Sequence, residues 1–578
     1  MSLLQDTIAC LRKQLDEKSL HITGCAVPLS ALRYEEDSPL GGDQGIGDFG
    51  AITHLIPWMV NHGQRVLQLL PVNDTTLYRN QKDAYPYSAI SAFALNPIYA
   101  DLNQLPLNDA IDLQKEANRL HHTKDLHYGE VLRLKEDWLH KYYVAHEKEI
   151  SGDSRIDTYI RTEAYWLRDY ATFCYFRDTE TSLYFHNWRS KAVPSEGSLR
   201  YYYWVQWLLE DQLTEAVTEA LSKGIVLKGD LPIGVSPYGA DVRQHPELFY
   251  QGMQAGAPPD YFSQEGQNWG FPTYNWQAME DEGYIWWKQR IKRLARFFAF
   301  LRIDHILGFF RIWSIPRDGR KGSMGYFVPL IPLSKKDLYA EGIPISLIDH
   351  SIPPCEDALI LPYPNATGNG YTLRYNLSST RSFQQLDGEL QKRLTTLEKD
   401  FFYHRQEALW KENGTKHLQA IAQDTPLILC AEDLGLTPQC VYEVLADLGI
   451  MTLELERFSK KFGNEFSDAT LFPYLSVATT GTHDMPPLRK WWHEDPQRAE
   501  RFKETYSLPL QPDTPETTIF QTLINRTLDS PAALTILPLQ DWLSVDPHYL
   551  EVTDYRQEQI NYPEDQEHSW LYRLPFAL

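Results

Sequence analysis

Three acidic residues stand where short apolar stretches of the chain end, and their chemistry suits the cleavage of glycosidic bonds. Asp304, Glu432 and Asp484 each close such a stretch. Glycosidic cleavage needs two facing carboxyl groups, of which one acts as nucleophile and the other as proton donor around an oxocarbenium-like transition state. The donor needs a raised pKa, whereas the nucleophile must stay ionised.

The neighbours of these acids favour the same chemistry. Arg302 precedes Asp304 by two positions and would keep a nucleophilic carboxylate charged, and His305 and His483 offer hydrogen bonds to sugar hydroxyls. A buried structural ion pair between Arg302 and Asp304 is an alternative. Metal binding is a weaker alternative, because the His and Asp spacing matches no helix-borne ligand motif and no metal is expected.

The acids must be positioned by the elements that carry them. Short apolar runs bounded by polar residues are typical of buried parallel strands. Eight such runs occur, at Ala26–Leu32, Val66–Val72, Ile225–Ile233, Phe300–Ile306, Leu427–Leu434, Thr452–Phe458, Val477–Asp484 and Leu534–Trp542. Helical patterns lie between many of them, including Ala51–Asn61, Asp211–Lys223, Trp286–Phe298 and Pro438–Leu448. The pattern predicts an α/β fold, a (β/α)8 TIM barrel whose strand ends bring the three acids to one mouth.

Two intervals are too long for simple crossovers. We expect a helical subdomain at about 103–223 and a Pro-rich insertion at about 317–401, both rising from the catalytic face of a barrel that spans 21–578. Residues 1–20 read as an amphipathic N-terminal helix and not as a signal peptide. The insertion contains Gly319, Gly322, Gly325 and aromatic residues that look exposed, at Tyr326, Phe327, Tyr363, Tyr371 and Tyr375. These residues predict a mobile wall for sugar stacking, with a packing brace of the barrel rim as the alternative.

Composition excludes several classes of protein and partner. The 578 residues are 43% hydrophobic and 23% charged, which indicates a globular chain. A formal net charge of −22 repels phosphate backbones and anionic lipid surfaces, so neither nucleic acid nor membrane is an expected partner. Aromatic residues reach 13%, which mildly favours a carbohydrate ligand.

Cofactor binding and secretion are not expected either. The six cysteines are scattered and form no C-x-x-C pair, which favours free thiols in the cytoplasm. Gly45–Gly50 matches the G-x-G-x-x-G pattern of dinucleotide loops, but polar and Gly residues separate it from the preceding predicted strand. Asp48 would also oppose a pyrophosphate, so it is read as a helix cap and no cofactor is predicted.

Several motifs together resemble the 4-α-glucanotransferases, also called amylomaltases or disproportionating enzymes, of glycoside hydrolase family 77. They are Arg302–His305, Ala431–Gly435, Gly481–Asp484, Ser38–Gly50, Pro86–Pro97 and Gly256–Gly270, and the resemblance runs from about residue 24 to the end. The resemblance implies a retaining double displacement on α-1,4-glucans in an amylase-like barrel.

The resemblance also implies roles for individual residues. Asp304 matches the nucleophile, Glu432 the acid/base, and Asp484 the third acid, which grips hydroxyls of the distorted sugar. Residues that match those lining the sugar site where the bond breaks are Tyr87, Asp241, Arg302, His305 and His483. Gln267 and Trp269 match the loop over donor and acceptor.

Some segments are similar to one branch of this family, the maltose-consuming cytosolic transglucosidases. They are Gly266–Trp276, His483–Met485 and the long interval between Asp304 and Glu432. Members of that branch usually carry starch-binding modules ahead of the barrel, and none is expected in residues 1–20. Their absence argues against a polysaccharide acceptor. The expected partners are maltose and maltooligosaccharides, with glycogen or other glucans as alternative acceptors.

Two other functions stay open at this point. An α-glucan hydrolase would use the same acids, with water in place of a sugar hydroxyl capturing the intermediate. The aromatic loop Tyr261–Trp276 favours the sugar, because a covered site excludes water. A non-catalytic glucan-binding barrel is the third possibility, and the presence of all three acids argues against it.

Overall fold

A computed structural model of the 578-residue chain provides the structure. It describes residues 2–189, 193–259, 263, 265–317, 321–351, 355–363, 370–423, 425–460, 463–563 and 570–578. Gly319 and residues 261, 262 and 264 of the predicted aromatic loop lie outside the described residues.

Strands and helices alternate along much of the described chain. The strands are β1 Ile22–Val27, β2 Val66–Leu69, β3 Val226–Leu231, β4 Phe249–Ala257, β5 Gln267–Tyr274, β6 Phe300–Ile303, β7 Ile312–Pro316, β8 Tyr326–Val328, β9 Ile360–Pro362, β10 Tyr371–Leu373, β11 Ile428–Ala431, β12 Thr452–Leu455, β13 Ser476–Thr479 and β14 Leu534–Pro538. The helices are α1 Ser2–Asp16, α2 Phe49–Asn61, α3 Ile111–His121, α4 Tyr128–Ala145, α5 Glu147–Gly152, α6 Ser154–Thr162, α7 Ala164–Thr179, α8 Glu196–Ser222, α9 Ala240–Gln244, α10 Trp276–Asp281, α11 Ile285–Leu294, α12 Lys335–Ala340, α13 Arg381–Gln384, α14 Gly388–Tyr403, α15 Glu407–Ala422, α16 Gln439–Asp447, α17 Leu488–Glu494, α18 Pro496–Thr505, α19 Glu516–Leu528, α20 Leu539–Leu543 and α21 Pro547–Val552.

Eight parallel strands form the predicted barrel. Their order around the sheet is β11-β6-β3-β2-β1-β14-β13-β12. A parallel bridge between Cys430 of β11 and Met451, next to β12, brings the two ends of the sheet together. Each strand therefore lies beside the strand that follows it in the barrel, as in a (β/α)8 fold. The predicted fold class is confirmed.

The predicted strand boundaries are less accurate than the fold. The first strand is Ile22–Val27 and not Ala26–Leu32, because Pro28 lacks an N–H for the ladder and instead precedes a 3-10 turn at Leu29–Ala31. The other predicted runs extend past the ends of the observed strands, and all of them contain the whole strand except Val477–Asp484, which misses Ser476 of β13. The residues that follow the strands are loop segments, and these segments carry the functional side chains.

A second sheet stands over one side of the barrel mouth. Strands β5, β4, β7 and β8 form it in that order, and all of its pairings are antiparallel. Strands β4 and β5 follow β3, whereas β7 and β8 follow β6. We call this four-stranded sheet the roof.

The two long intervals hold structure of their own. Helices α3–α8 lie between β2 and β3, and β8–β10 with α12–α14 occupy most of residues 321–403. The division into a barrel and two inserted subdomains stays a prediction. None of the described helices has both the length and the apolar character that crossing a bilayer requires.

The aromatic residues of the second interval are not the exposed wall that the sequence suggested. Phe327, Tyr363 and Tyr371 are buried, and Tyr326 and Tyr375 are half-buried. Phe327 packs edge-on against Phe402 and Trp410, with ring centroids 6.0 and 5.6 Å apart. Phe402 and Trp410 follow the 317–401 interval, so these rings pack the insertion against the helices that lead into β11.

Candidate active site

A cavity of about 410 Å³ opens where the barrel strands end and the roof begins. Asp304, Glu432 and Asp484 all line it. They follow β6, β11 and β13, and the carboxyl ends of parallel barrel strands meet at one face. Other residues that line it are Tyr85, Tyr87, Gln267, Trp269, Phe271, Arg302, His305, Arg311, Trp313, Leu434, Leu436, His483 and Asn561.

A buried polar network forms the bottom of this cavity. Asp230 of β3 and Arg302 of β6 are register partners on adjacent strands, so their side chains point to the same side of the sheet. Nη1 of Arg302 lies 2.7 and 2.8 Å from the two carboxylate oxygens of Asp230 and 3.1 Å from Oδ1 of Asp304. Tyr87 donates its hydroxyl hydrogen to Oδ2 of Asp230 at 2.8 Å. We call Arg302, Asp230, Asp304 and Tyr87 the floor.

The floor sets the charge on Asp304. Burial raises the pKa of this carboxyl to about 6, although Arg302 works against the rise by favouring the ionised form. The ion pair between Arg302 and Asp304 therefore exists, but Arg302 binds Asp230 more closely. Arg302 is shared between a structural carboxylate and one that faces the cavity.

Glu432 lines the same cavity as Asp304 but has different hydrogen-bond partners. Its Oε2 accepts the backbone N–H of His305 at 3.2 Å, and its Oε1 accepts that of Leu434 at 2.9 Å. Burial, with the nearby charge of Asp304, raises the pKa of Glu432 to about 7, while Arg302 and the Leu434 N–H lower it. Of the three cavity acids, Glu432 is the one that best retains a proton near neutral pH.

Asp484 belongs to a third arrangement. Its Oδ2 lies 3.2 Å from Nε2 of His483, and its Oδ1 accepts the side-chain amide of Asn561 at 2.6 Å. Burial alone would raise the pKa of Asp484, but His483, Asn561 and Arg302 together lower it to about 2. The ring of His483 stacks on Tyr87 with centroids 5.2 Å apart, which ties this acid to the floor.

His305 joins the floor to the roof. Its backbone is in the left-handed region, with φ +42°, a strained conformation for a residue that has a Cβ. The ring of Trp269 on β5 meets the His305 ring edge-on at 4.8 Å, and Trp269 donates its indole N–H to Gln267 at 2.9 Å. Burial, helped by Arg311 and Arg302, lowers the pKa of His305 to about 3, so its ring is neutral at physiological pH.

One predicted site residue lies elsewhere. Asp241, in α9, is not among the described residues that line the cavity; its carboxylate accepts the backbone N–H of Ala92 at 2.6 Å. In this structure the carboxylate of Asp241 therefore supports the loop after β2, and its predicted role in sugar binding stays a prediction. The other predicted residues, Tyr87, Gln267, Trp269, Arg302, His305 and His483, all line the cavity.

Three cavity or floor residues were missed by sequence reasoning. Asp230 could have been found from the sequence, because it is a charged residue inside the third predicted apolar strand, as Arg302 is inside the fourth. Asn561 comes from the C-terminal segment, and Arg311 lies between β6 and β7. No local pattern distinguishes either of them. Across the described chain, no group of three or more His, Cys, Asp or Glu side chains is arranged to hold a metal ion.

Comparison with known proteins gives a consistent result. The model of glycoside hydrolase family 77, described as 4-alpha-glucanotransferase, matches residues 27–577. The 4-alpha-glucanotransferase DPE2 of Oryza sativa subsp. japonica is 33% identical over 96% of this chain and 67% of its own length. The 4-alpha-glucanotransferase of Chlamydia pneumoniae is 28% identical over 92% of this chain and 88% of its own.

A solved structure is similar over nearly the whole chain. The amylomaltase from Streptococcus agalactiae in complex with acarbose has a TM-score of 0.67 and 22% identity. The match covers 96% of this chain and 95% of that one. At this identity the likeness supports the fold.

Proposed function

The chain belongs to the 4-alpha-glucanotransferase family of glycoside hydrolase family 77, and on that premise we propose that Asp304, Glu432 and Asp484 carry its chemistry. The protein is an enzyme that transfers glucosyl units between α-1,4-glucans with retention of configuration. Membership of the family decides against the two alternatives, an α-glucan hydrolase and a non-catalytic glucan-binding barrel. The roles of individual residues, the preferred donor and the location in the cell are our proposals.

In the first step Asp304 attacks the anomeric carbon of the donor sugar. The glycosidic C–O bond breaks, its electron pair goes to the leaving oxygen, and Glu432 gives that oxygen its proton. The product is a covalent glycosyl-enzyme ester on Asp304, with Glu432 now ionised. In the second step Glu432 takes a proton from the acceptor hydroxyl, whose oxygen displaces Asp304 and restores both carboxyl groups.

The observation that carries this assignment is that three carboxyl groups around one cavity have different partners. Asp304 lies 3.1 Å from Arg302, Glu432 accepts two backbone N–H groups, and Asp484 contacts His483 and Asn561. Asp484 has a pKa of about 2, Asp304 of about 6 and Glu432 of about 7. Because Glu432 holds its proton to the highest pH, it suits the acid/base, and Asp304 on Arg302 suits the nucleophile. Asp484 stays ionised throughout and can accept hydrogen bonds from sugar hydroxyls.

The variant Glu432→Gln tests the assignment. It should be inactive on maltotriose, because the leaving oxygen receives no proton. It should still form the glycosyl-enzyme from α-glucosyl fluoride, since fluoride departs with little protonation. Mass spectrometry of the trapped ester on Asp304 is the readout. Near-normal transfer from maltotriose by Glu432→Gln would contradict the role of Glu432.

Maltose is the donor that we propose, with a longer glucan such as glycogen as acceptor. The segments Gly266–Trp276 and His483–Met485 support this choice by their resemblance to maltose-consuming transglucosidases. The residues of the 317–401 interval give no added support, because none of its described members lines the cavity. Initial rates of glucose release from maltose, with and without glycogen, decide the matter. An enzyme that ignores maltose in both conditions but disproportionates maltotriose would be an ordinary amylomaltase.

Aromatic side chains around the cavity favour a sugar hydroxyl over water as the acceptor in the second step. Trp269 and Phe271 of β5, stacked with centroids 5.7 Å apart, and Trp313 of β7 stand over the floor. Such a surface favours the flat face of an acceptor sugar and displaces water.

We also propose a cytoplasmic location, supported by cysteines that are free throughout the described chain.

A further inference from the structure

Arg311 is a buried cation that lines the cavity without taking part in the chemistry described above. It lies directly before β7, seven positions after Asp304. Its guanidinium carbon is 3.8 Å from the ring centroid of Phe327 and 4.8 Å from that of Trp410. Among the described residues no carboxylate lies at ion-pair distance from it. Aromatic faces therefore provide much of the compensation for burying its charge.

The guanidinium has one short polar contact, and it is with the loop that carries Glu432. Nη2 of Arg311 donates to the backbone carbonyl of Leu436 at 2.5 Å. This loop passes through Gly435, whose φ is +99° and where an added Cβ would meet no atom within 4 Å. Thr437 also fixes this loop by donating its hydroxyl hydrogen to the backbone carbonyl of Asp433 at 2.8 Å, so the contact at Leu436 is the one that ties the loop to Arg311.

The same loop also determines the state of Glu432. The N–H of Leu434 donates to Oε1 of Glu432 at 2.9 Å, and this bond favours the ionised carboxylate. Movement of Leu436 would carry Leu434 with it, because only Gly435 separates them along the chain. The position of Arg311 is therefore coupled to the geometry and the acidity of Glu432.

We propose that Arg311 is a positioning residue that holds the Glu432–Leu436 loop, and that the 317–401 insertion acts on catalysis through it. Phe327, on β8 of that insertion, supplies the aromatic face closest to the guanidinium. The insertion thus affects the reaction without lining the cavity. The proposal rests on the acid/base role of Glu432 given above.

Different charged and titratable groups surround Glu432 and Arg311. Around Glu432 they are Arg302, Asp304 and Asp433. Around Arg311 they are Tyr375, Tyr403, Cys440 and Glu407. None of these groups is altered in the variants below, but Arg311→Met also removes a positive charge from the cavity, whereas Arg311→Lys keeps it. A change in the acidity of Glu432 that Arg311→Lys shares therefore follows from the loop and not from the lost charge.

The test compares Arg311→Met and Arg311→Lys with the parent on two donors. With maltotriose, Arg311→Met should lose about 10- to 100-fold in kcat with little change in KM. Its loss on α-glucosyl fluoride should be smaller in the glycosylation step, because that leaving group needs little acid catalysis. Arg311→Lys should recover part of the loss, and Phe327→Leu should reproduce it more weakly.

The pH profile separates positioning from a general loss of stability. Without the Leu434 N–H, the pKa of Glu432 rises, so the basic limb of kcat/KM should move to higher pH by about half a unit or more. Arg374→Met is the matched control. Arg374 is also buried in the insertion and donates to the carbonyls of Ala358, Ser323 and Cys355, at 2.7, 3.0 and 2.9 Å. It should lower Tm while leaving the basic limb in place.

Any of three results would overturn the proposal. One is unchanged kcat in folded Arg311→Met. Another is a loss that is equal on both donors with an unmoved basic limb. The third is a loss that Arg374→Met reproduces in full. Failure of the Glu432 assignment itself would appear independently, as activity of Glu432→Gln on maltotriose.

Discussion

The floor and the roof of the cavity are built by different means. In the floor, Arg302 binds Asp230 and Asp304, and all three come from the ends of adjacent barrel strands. In the roof, Trp269 and Phe271 stack on each other and reach the floor through the edge of His305. Charge fixes the geometry below the sugar, whereas aromatic packing encloses it from above.

This difference predicts how each region fails. Removing one partner of a buried ion pair leaves an uncompensated charge, which costs about 3–5 kcal/mol and disturbs the whole network. An aromatic pair contributes about 0.5–1.5 kcal/mol beyond its buried area, so its loss is graded. Changes in the floor should therefore abolish the reaction, and changes in the roof should redirect it.

The largest effect is expected for Asp304→Ala. Without a nucleophile, kcat for transfer between maltotriose units should fall by at least about 10⁴-fold, and no covalent intermediate should form from α-glucosyl fluoride. Steady-state kinetics and intact-protein mass spectrometry are the measurements. Residual activity within about 100-fold of the parent would show that the floor does not supply the nucleophile.

Next in size is Asp230→Asn, which removes the carboxylate that holds Arg302. We expect a loss of about 10²- to 10³-fold in kcat/KM and a lower Tm, because Arg302 is left with Asp304 as its remaining ion-pair partner. Asp241→Asn is a matched control, since Asp241, like Asp230, is a buried acid, and it follows β3, the strand that contains Asp230. Its activity per folded molecule should stay within about threefold of the parent. Equal losses in the two variants would remove the distinction between the floor and its surroundings.

The pH dependence of kcat/KM tests the two reacting carboxyl groups, Asp304 of the floor and Glu432, without any substitution. Asp304 must be ionised, so activity should be lost as pH falls through about 6. Glu432 must be protonated, so activity should be lost as pH rises through about 7. The profile should be a narrow bell, falling tenfold per unit beyond each limb, and its two values belong to the pair. A broad plateau from pH 5 to 9 would contradict the burial of both acids under the roof.

The smallest effect is expected in the roof. Trp269→Leu should reduce transfer to a glucan acceptor by about tenfold and increase the fraction of glucose formed by hydrolysis. Tyr339→Ala, at a residue that is 63% exposed on the insertion, is the control and should change neither quantity. Product ratios by chromatography provide the readout. An unchanged ratio in Trp269→Leu would show that the roof does not select between sugar and water.

Short-range patterns determined most of the barrel and its acids. Eight buried apolar runs indicated eight parallel strands, and acids at the ends of three runs indicated one shared mouth, because parallel strands end at the same face. The position of Asp304 beside Arg302 in the chain was enough to predict their ion pair. These inferences succeed because they depend on neighbours in sequence or on the symmetry of the barrel.

Tertiary structure alone decided how the site is completed. Asp230 became the main partner of Arg302 because two strands that are distant in the chain pair in a particular register. Asp241 binds the backbone of the loop after β2, Asn561 was brought in by the C-terminal segment, and Arg311 lies against the ring of Phe327 in the insertion. Tertiary structure also decided the pKa order of the acids, because burial raises the pKa of all three and the partners that the fold supplies, such as Asn561 for Asp484, lower it by different amounts.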